Sequence, residues 1–212
     1  MIRALGVCLL LFLGSSHLQG AALATPKQAI QCPLPSAAPS HVLLDVPYFD
    51  QRDNSLQPSR SSQVTAIASV LAFYGIQPAS SDLSLPDEVI TKVSKYGDIT
   101  SSNAIIEAIK ESYRIQIRFA TGATWCEVIE SLRSGMPVVV IGLFGTKSGH
   151  VVTIVGYTPT HVLVNDSYGN VMTKWLELDG RNMLYPIQDF INSISPESKV
   201  NPQNIWAYFI SP

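Results

Sequence analysis

The strongest constraint on this chain is a change of apolar period near Gly135. Before it, apolar residues recur at helical spacing. Residues 62–74 place Val64, Ile67, Ala68 and Leu71 on one stripe, and Gly75 follows as a helix stop. Ser61 or Ser62 is the natural cap of its first turn. Residues 86–95 predict a second helix with Pro86 at its first position, and 102–113 a third with Ile105, Ile106 and Ile109 inward. Thr124 and Glu127 have capping-box spacing and open a fourth helix running to Ser134. Residues 41–46 and 115–119 read as strands in this half. After Gly135 the runs become short and β-rich: 137–142, 151–157, 161–165, 171–178 and 205–210. A helical first half packed on an antiparallel sheet from the second half predicts an α+β domain.

The N-terminal region reads differently. Arg3, the apolar stretch 4–14 and Ala22-Leu23-Ala24 form a secretory signal pattern over residues 1–24. Residues 25–40 hold four prolines among small residues, a Pro-rich linker, so the folded domain is expected over 41–212. Export implies a secreted or periplasmic product in which Cys32 and Cys126 are able to form one disulfide, though nothing in the sequence fixes their separation. The chain carries 14 basic and 16 acidic side chains, only 14% charged residues, and no post-leader apolar run of bilayer length. These features argue against nucleic acid or, after leader removal, a membrane as partner, and a monomer is expected. No cofactor or metal ligand set is legible.

Three polar stretches carry the chemistry. One is the loop 51–62 leading into the first helix. The second is Gly149-His150 opening an apolar strand. The third is Asn165-Asp166-Ser167-Tyr168-Gly169 at the end of the next strand. A nucleophile at a helix N-terminus lies at the positive end of the macrodipole. A histidine on a neighbouring strand acts as base, a carboxylate holds its tautomer, and a side-chain amide donates to the developing oxyanion.

With residues 44–54 (LDVPYFDQRDN) and the helix end 70–75 (VLAFYG), these stretches resemble cysteine peptidase family 39 over about residues 42–180. That papain-like family includes bacteriocin leader peptidases and exported stand-alone domains. The resemblance implies His150 as base, Asp166 as its orienting partner, Gln51 as oxyanion donor and a peptide or protein as substrate or ligand. The family's nucleophilic cysteine falls at Ser62. A thiol is activated by a helix N-terminus and an imidazolium, whereas a hydroxyl needs concerted proton removal in a site shaped for it. The departure therefore implies reduced or lost hydrolysis.

Other readings stay open. One is an active hydrolase using Ser62. Another is a non-catalytic peptide- or cell-wall-binding module, for which Tyr48, Phe49, Trp125 and Trp175 should line one groove. Cys126 is weighed as a substitute nucleophile, but Glu127 and Glu130 beside it would raise a thiol pKa. His41 and His161 read as surface residues, and Ser62 as a plain cap, Asp166 as a turn cap and Gln51 as a solvated loop residue are the simpler alternatives. One geometric condition is strict. Side chains alternate faces along a strand, so His150 and Asp166 share a face only if Asp166 falls opposite an even-numbered residue such as Val152. A four-residue loop pairing Tyr157 with Val162 gives the wrong parity. The site therefore requires a three- or five-residue loop, or a bulge.

Overall fold

A computed structural model describes Cys32, residues 39–144, Thr146, 149–194 and 204–212; the expected leader and nearly all of the linker lie outside these residues. The element order is β1 (Val42–Leu43), α1 (Ser62–Phe73), α2 (Leu85–Val93), α3 (Ser102–Tyr113), β2 (Gln116–Ala123), α4 (Trp125–Arg133), β3 (Val138–Gly142), β4 (His150–Tyr157), β5 (His161–Asn165), β6 (Met183–Pro186), α5 (Ile187–Ile194) and β7 (Ile205–Ser211). The sheet runs β2-β7-β3-β4-β5-β6, with β1 paired to β4; every pairing is antiparallel.

Strand alternation divides the core in two. Val139, Val151 and Tyr208 pack with α1–α3 on one face. Val138, Val140, Val152, Ile154 and Ala207 pack with α4 and α5 on the other. A sheet covered on both faces explains why β3 and β4 are nearly continuous apolar runs rather than alternating ones.

Local chemistry accounts for most helix ends. Thr124 and Glu127 form the reciprocal capping box expected at α4, and Gly75 takes the left-handed conformation (φ 83°) after α1. Pro86 lies one residue later than expected, because Ser84 caps α2 and Leu85 is its first residue. The capping residue of α1 is Ser61, yet its hydroxyl caps nothing; it accepts from Asn54 Nδ2 at 2.8 Å instead.

Two expectations need correction. Residues 171–178 are not a strand: a 3-10 turn at Val171–Thr173 is followed by left-handed Lys174 and Trp175 (φ 55° and 60°), incompatible with a pleated strand. The partner of β5 is β6, whose four residues are too short for an alternation signal. Helix α5 is a further element, with Ile187, Phe190, Ile191 and Ile194 on its apolar stripe. Strand β1 is also limited to two residues, and β1 and β2 bring the first half of the chain into the sheet.

Cys32 and Cys126 are joined by a disulfide, with Cα atoms 5.3 Å apart and a sequence separation of 94. The bridge removes Cys126 as a nucleophile. Loop-closure entropy for a crosslink of this span is worth about 4–5 kcal/mol. A Cys32→Ser/Cys126→Ser variant should therefore melt roughly 8–20 °C lower in calorimetry. A drop under about 2 °C would show that the bridge does not constrain the unfolded chain as that entropy requires.

Candidate active site

The required parity is met by a bulge. At the β4–β5 turn Tyr157 pairs with Val162 and Gly156 with Leu163, the unfavourable offset; beyond Val155 the register shifts, so Ile154 pairs with Val164 and Thr153 with Asn165. The extra residue sets Asp166 opposite Val152 and returns it to the face of His150. The bulge is held from outside: Leu44 N donates to Val155 O at 2.8 Å. Gly156 is needed there, because a Cβ would lie 2.2 Å from Val42 O.

With both residues on one face, His150 Nε2 meets Asp166 Oδ1 at 2.6 Å, both side chains buried. A carboxylate only accepts, so Nε2 carries the shared proton and Nδ1 is left for the cleft. Asp166 also accepts from Tyr168 N (3.0 Å, Oδ1) and Val171 N (3.3 Å, Oδ2), which fixes the carboxylate. The imidazole is walled edge-on by Phe144 and Trp175, with ring centroids 6.0 and 5.9 Å away.

The turn bearing Asp166 is pinned by contacts of Tyr48, Asn165 and Gly180, a role the sequence does not assign to them. Asp166 N donates to Gly180 O at 2.8 Å, and a Cβ on Gly180 would fall 1.9 Å from Asp166 O. Tyr48 Oη donates to Asp166 O (3.2 Å) and accepts from Gly180 N (3.3 Å). Burial pushes the Tyr48 hydroxyl up to about 12, so it remains a donor at neutral pH. Asn165 Nδ2 donates to Val46 O and its Oδ1 accepts from Asn182 N. For Asn165 the only sequence signal was its place beside the candidate acid, and Tyr48, 118 residues away, carried none.

Ser62 is the first residue of α1, on the same cleft as His150. Among the described residues its hydroxyl makes no hydrogen bond, so it is not a cap and is not joined to the imidazole. Beneath it, buried Asn54 donates to Ser61 Oγ and Thr65 Oγ1, both at 2.8 Å, bracing the helix start. Gln51 is buried rather than solvated. Its Nε2 donates to Pro58 O at 2.8 Å and its Oε1 accepts from Ser167 Oγ at 3.0 Å.

The cleft, about 440 Å³, takes in Gln51, Ser62, Gln63, His150, Tyr168 and Trp175. All four sequence-predicted site residues are thus brought together or, for Asp166, placed directly behind His150. A hollow of about 490 Å³ elsewhere, bordered by Lys110, Arg118, Glu127 and Glu130, holds no such constellation. The aromatic groove does not form: Trp125 is buried, Trp175 lines the cleft, and Tyr48 and Phe49 border a third hollow. His41 is exposed, and His161 is partly exposed, bonded to Thr160 Oγ1. Among the described residues no three His, Cys, Asp or Glu side chains are grouped to hold a metal ion.

A helix N-terminus facing a buried His–Asp pair across one cleft, on an antiparallel sheet with helices on both faces, is the architecture of a papain-like cysteine peptidase. More narrowly, the chain belongs to the peptidase C39-like family, whose model matches residues 43–185. No curated protein matches it in sequence. Solved structures that share the fold include the following two. One is described as a C39-like peptidase from Bacillus anthracis (18% identity, TM-score 0.53, covering 81% of this chain and 98% of that one). The other is a double glycine motif protease from an AMS/PCAT transporter in complex with the leader peptide (17%, 0.50, 81% and 94%).

Proposed function

We propose that this is an exported peptidase-family protein that binds peptide in the Ser62–His150 cleft and has reduced or lost hydrolysis. In this reading His150 is the base position, Asp166 orients it and Gln51 is the oxyanion donor. The observation that carries it is the contrast within one cleft. The His150–Asp166 bond is short and buried, while the group at the nucleophile position is a hydroxyl with no hydrogen bond to the imidazole.

The chemistry follows from that contrast. In a cysteine site a thiolate–imidazolium pair rests before substrate arrives, held by the helix dipole and the carboxylate. Serine's hydroxyl keeps its proton at rest, so attack demands transfer to Nδ1 as the new bond forms, through a hydrogen bond that must first be made. Recognition needs none of this. The cleft still offers amide and hydroxyl groups from Gln51, Ser59, Gln63 and Thr100 beside the aromatic faces of Tyr168 and Trp175. The structure bound to a leader peptide on the same fold is consistent with a peptide ligand. Export is supported by the leader pattern at residues 1–24 and by the Cys32–Cys126 bridge, which suits an oxidising compartment.

Blocked tetrapeptides titrated into the unaltered protein, followed by tryptophan fluorescence with Trp175→Phe as control, should give saturable quenching. Mass spectrometry of the same mixtures should show no cleavage over hours. Cleavage abolished by Ser62→Ala would overturn the loss of hydrolysis and establish a working serine. Absence of binding to any peptide would overturn the ligand class.

A further inference from the structure

We propose that Ser167 is a positioning residue of this site, whose hydroxyl fixes the carboxamide of Gln51 with its N–H₂ group toward the nucleophile side of the cleft. The inference rests on the reading of Gln51 as oxyanion donor. A glutamine amide is useful in that role only if its donor end, not its acceptor end, faces the ligand oxygen. Nothing in the amide's shape selects between the two. The selection must come from its partners.

Those partners are complementary at both ends. Ser167 Oγ donates to Gln51 Oε1 at 3.0 Å, and Gln51 Nε2 donates to Pro58 O at 2.8 Å. Rotating the amide by half a turn would set Oε1 against the Pro58 carbonyl, acceptor facing acceptor. One Nε2–H is spent on Pro58; the second remains for an oxygen in the cleft that Gln51 borders. Gln51 and Ser167 are both buried, so water is a poor substitute for the hydroxyl.

The position of Ser167 gives the contact its significance. It directly follows Asp166, so one turn orients the imidazole through its carboxylate and the oxyanion donor through its hydroxyl. A separate backbone bond, Gln51 N to Ser167 O at 2.8 Å, ties the two loops together. That tie survives Ser167→Ala, which makes the hydroxyl separable from a merely structural role.

The test has two arms. The first needs no catalysis: nitrogen-15 NMR of the Gln51 side-chain amide in the unaltered protein. Ser167→Ala should raise the exchange rate of the amide protons with water about tenfold or more, and Ser167→Thr should restore slow exchange. Unchanged exchange in Ser167→Ala overturns the proposal. The second arm places the same substitutions in a Ser62→Cys background and measures a peptide aldehyde. Its carbonyl accepts the thiolate, a C–S bond forms, and the carbonyl π pair moves to oxygen, which takes the proton from His150. Affinity for the aldehyde depends on the oxyanion donor, whereas alkylation by iodoacetamide does not. Relative to the alkylation rate, aldehyde affinity should fall about tenfold in Ser167→Ala and should fall no further when Gln51→Ala is added. Full additivity of the two substitutions overturns the proposal. A Ser62→Cys protein that does not alkylate would count against the site reading itself, while amide exchange would still decide the role of Ser167.

Discussion

Ser62→Cys is expected to create a thiol that reacts with iodoacetamide at pH 6 about 100-fold faster than an ordinary cysteine. The size follows from ionisation. A free thiol with a pKa near 8.5 is only about 0.3% thiolate at that pH. The first residue of α1 adds the helix dipole, and the imidazole held by Asp166 becomes the counter-ion, so the thiolate form is favoured. Because the folded-state thiol pKa is lowered, the advantage is greatest below pH 8 and fades as ordinary thiols ionise. Adding His150→Ala should remove most of the gain. Equal rates with and without His150 would mean that the cleft no longer supports an ion pair, and the family's chemistry would be lost from the geometry as well as from residue 62. A thiolate formed by the pair would instead show that the missing sulfur alone separates this protein from a cysteine peptidase site.

Asp166→Ala should be the most damaging single substitution at the site, lowering stability by about 3–5 kcal/mol. The carboxylate is fully buried, and removing it strands the His150 ring N–H together with the backbone N–H groups of Tyr168 and Val171. At this chain length such a loss corresponds to a melting temperature roughly 6–20 °C lower. Asp166→Asn keeps an acceptor for the imidazole and should recover more than half of the loss. If the alanine variant melts within about 2 °C of the parent, the buried pair has no role in holding the loop between β5 and β6. Chemical denaturation with an unchanged m-value would separate lost stability from a loosened native state.

Much of the site was legible because its signals are local. His150 at the head of an apolar strand, Asp166 before a glycine turn and Ser62 at a helix start are each marked by neighbouring residues. The same holds for the Thr124–Glu127 capping box and the stop at Gly75. Residues 171–178 misled because β-prone composition does not supply a strand partner. The place beside β5 goes to β6, and the backbone turns left-handed at Lys174 and Trp175. The partners of Gln51 lie 7 and 116 residues away and those of Asn54 7 and 11, set by how the loop before α1 folds rather than by a motif.

By itself, then, the sequence determined the α+β class and the family resemblance, and it singled out Gln51, Ser62, His150 and Asp166, which the fold gathers at one cleft. Strand parity stated the condition under which His150 and Asp166 could meet, but it could not say how that condition would be satisfied. Only the tertiary structure decided it: β1, arriving from more than 100 residues upstream, lays Leu44 N on Val155 O and stabilises the one extra residue in β4. A bulge costs ladder pairing wherever it occurs, so its position is set by the long-range contact that compensates for it, and no local pattern encodes that contact.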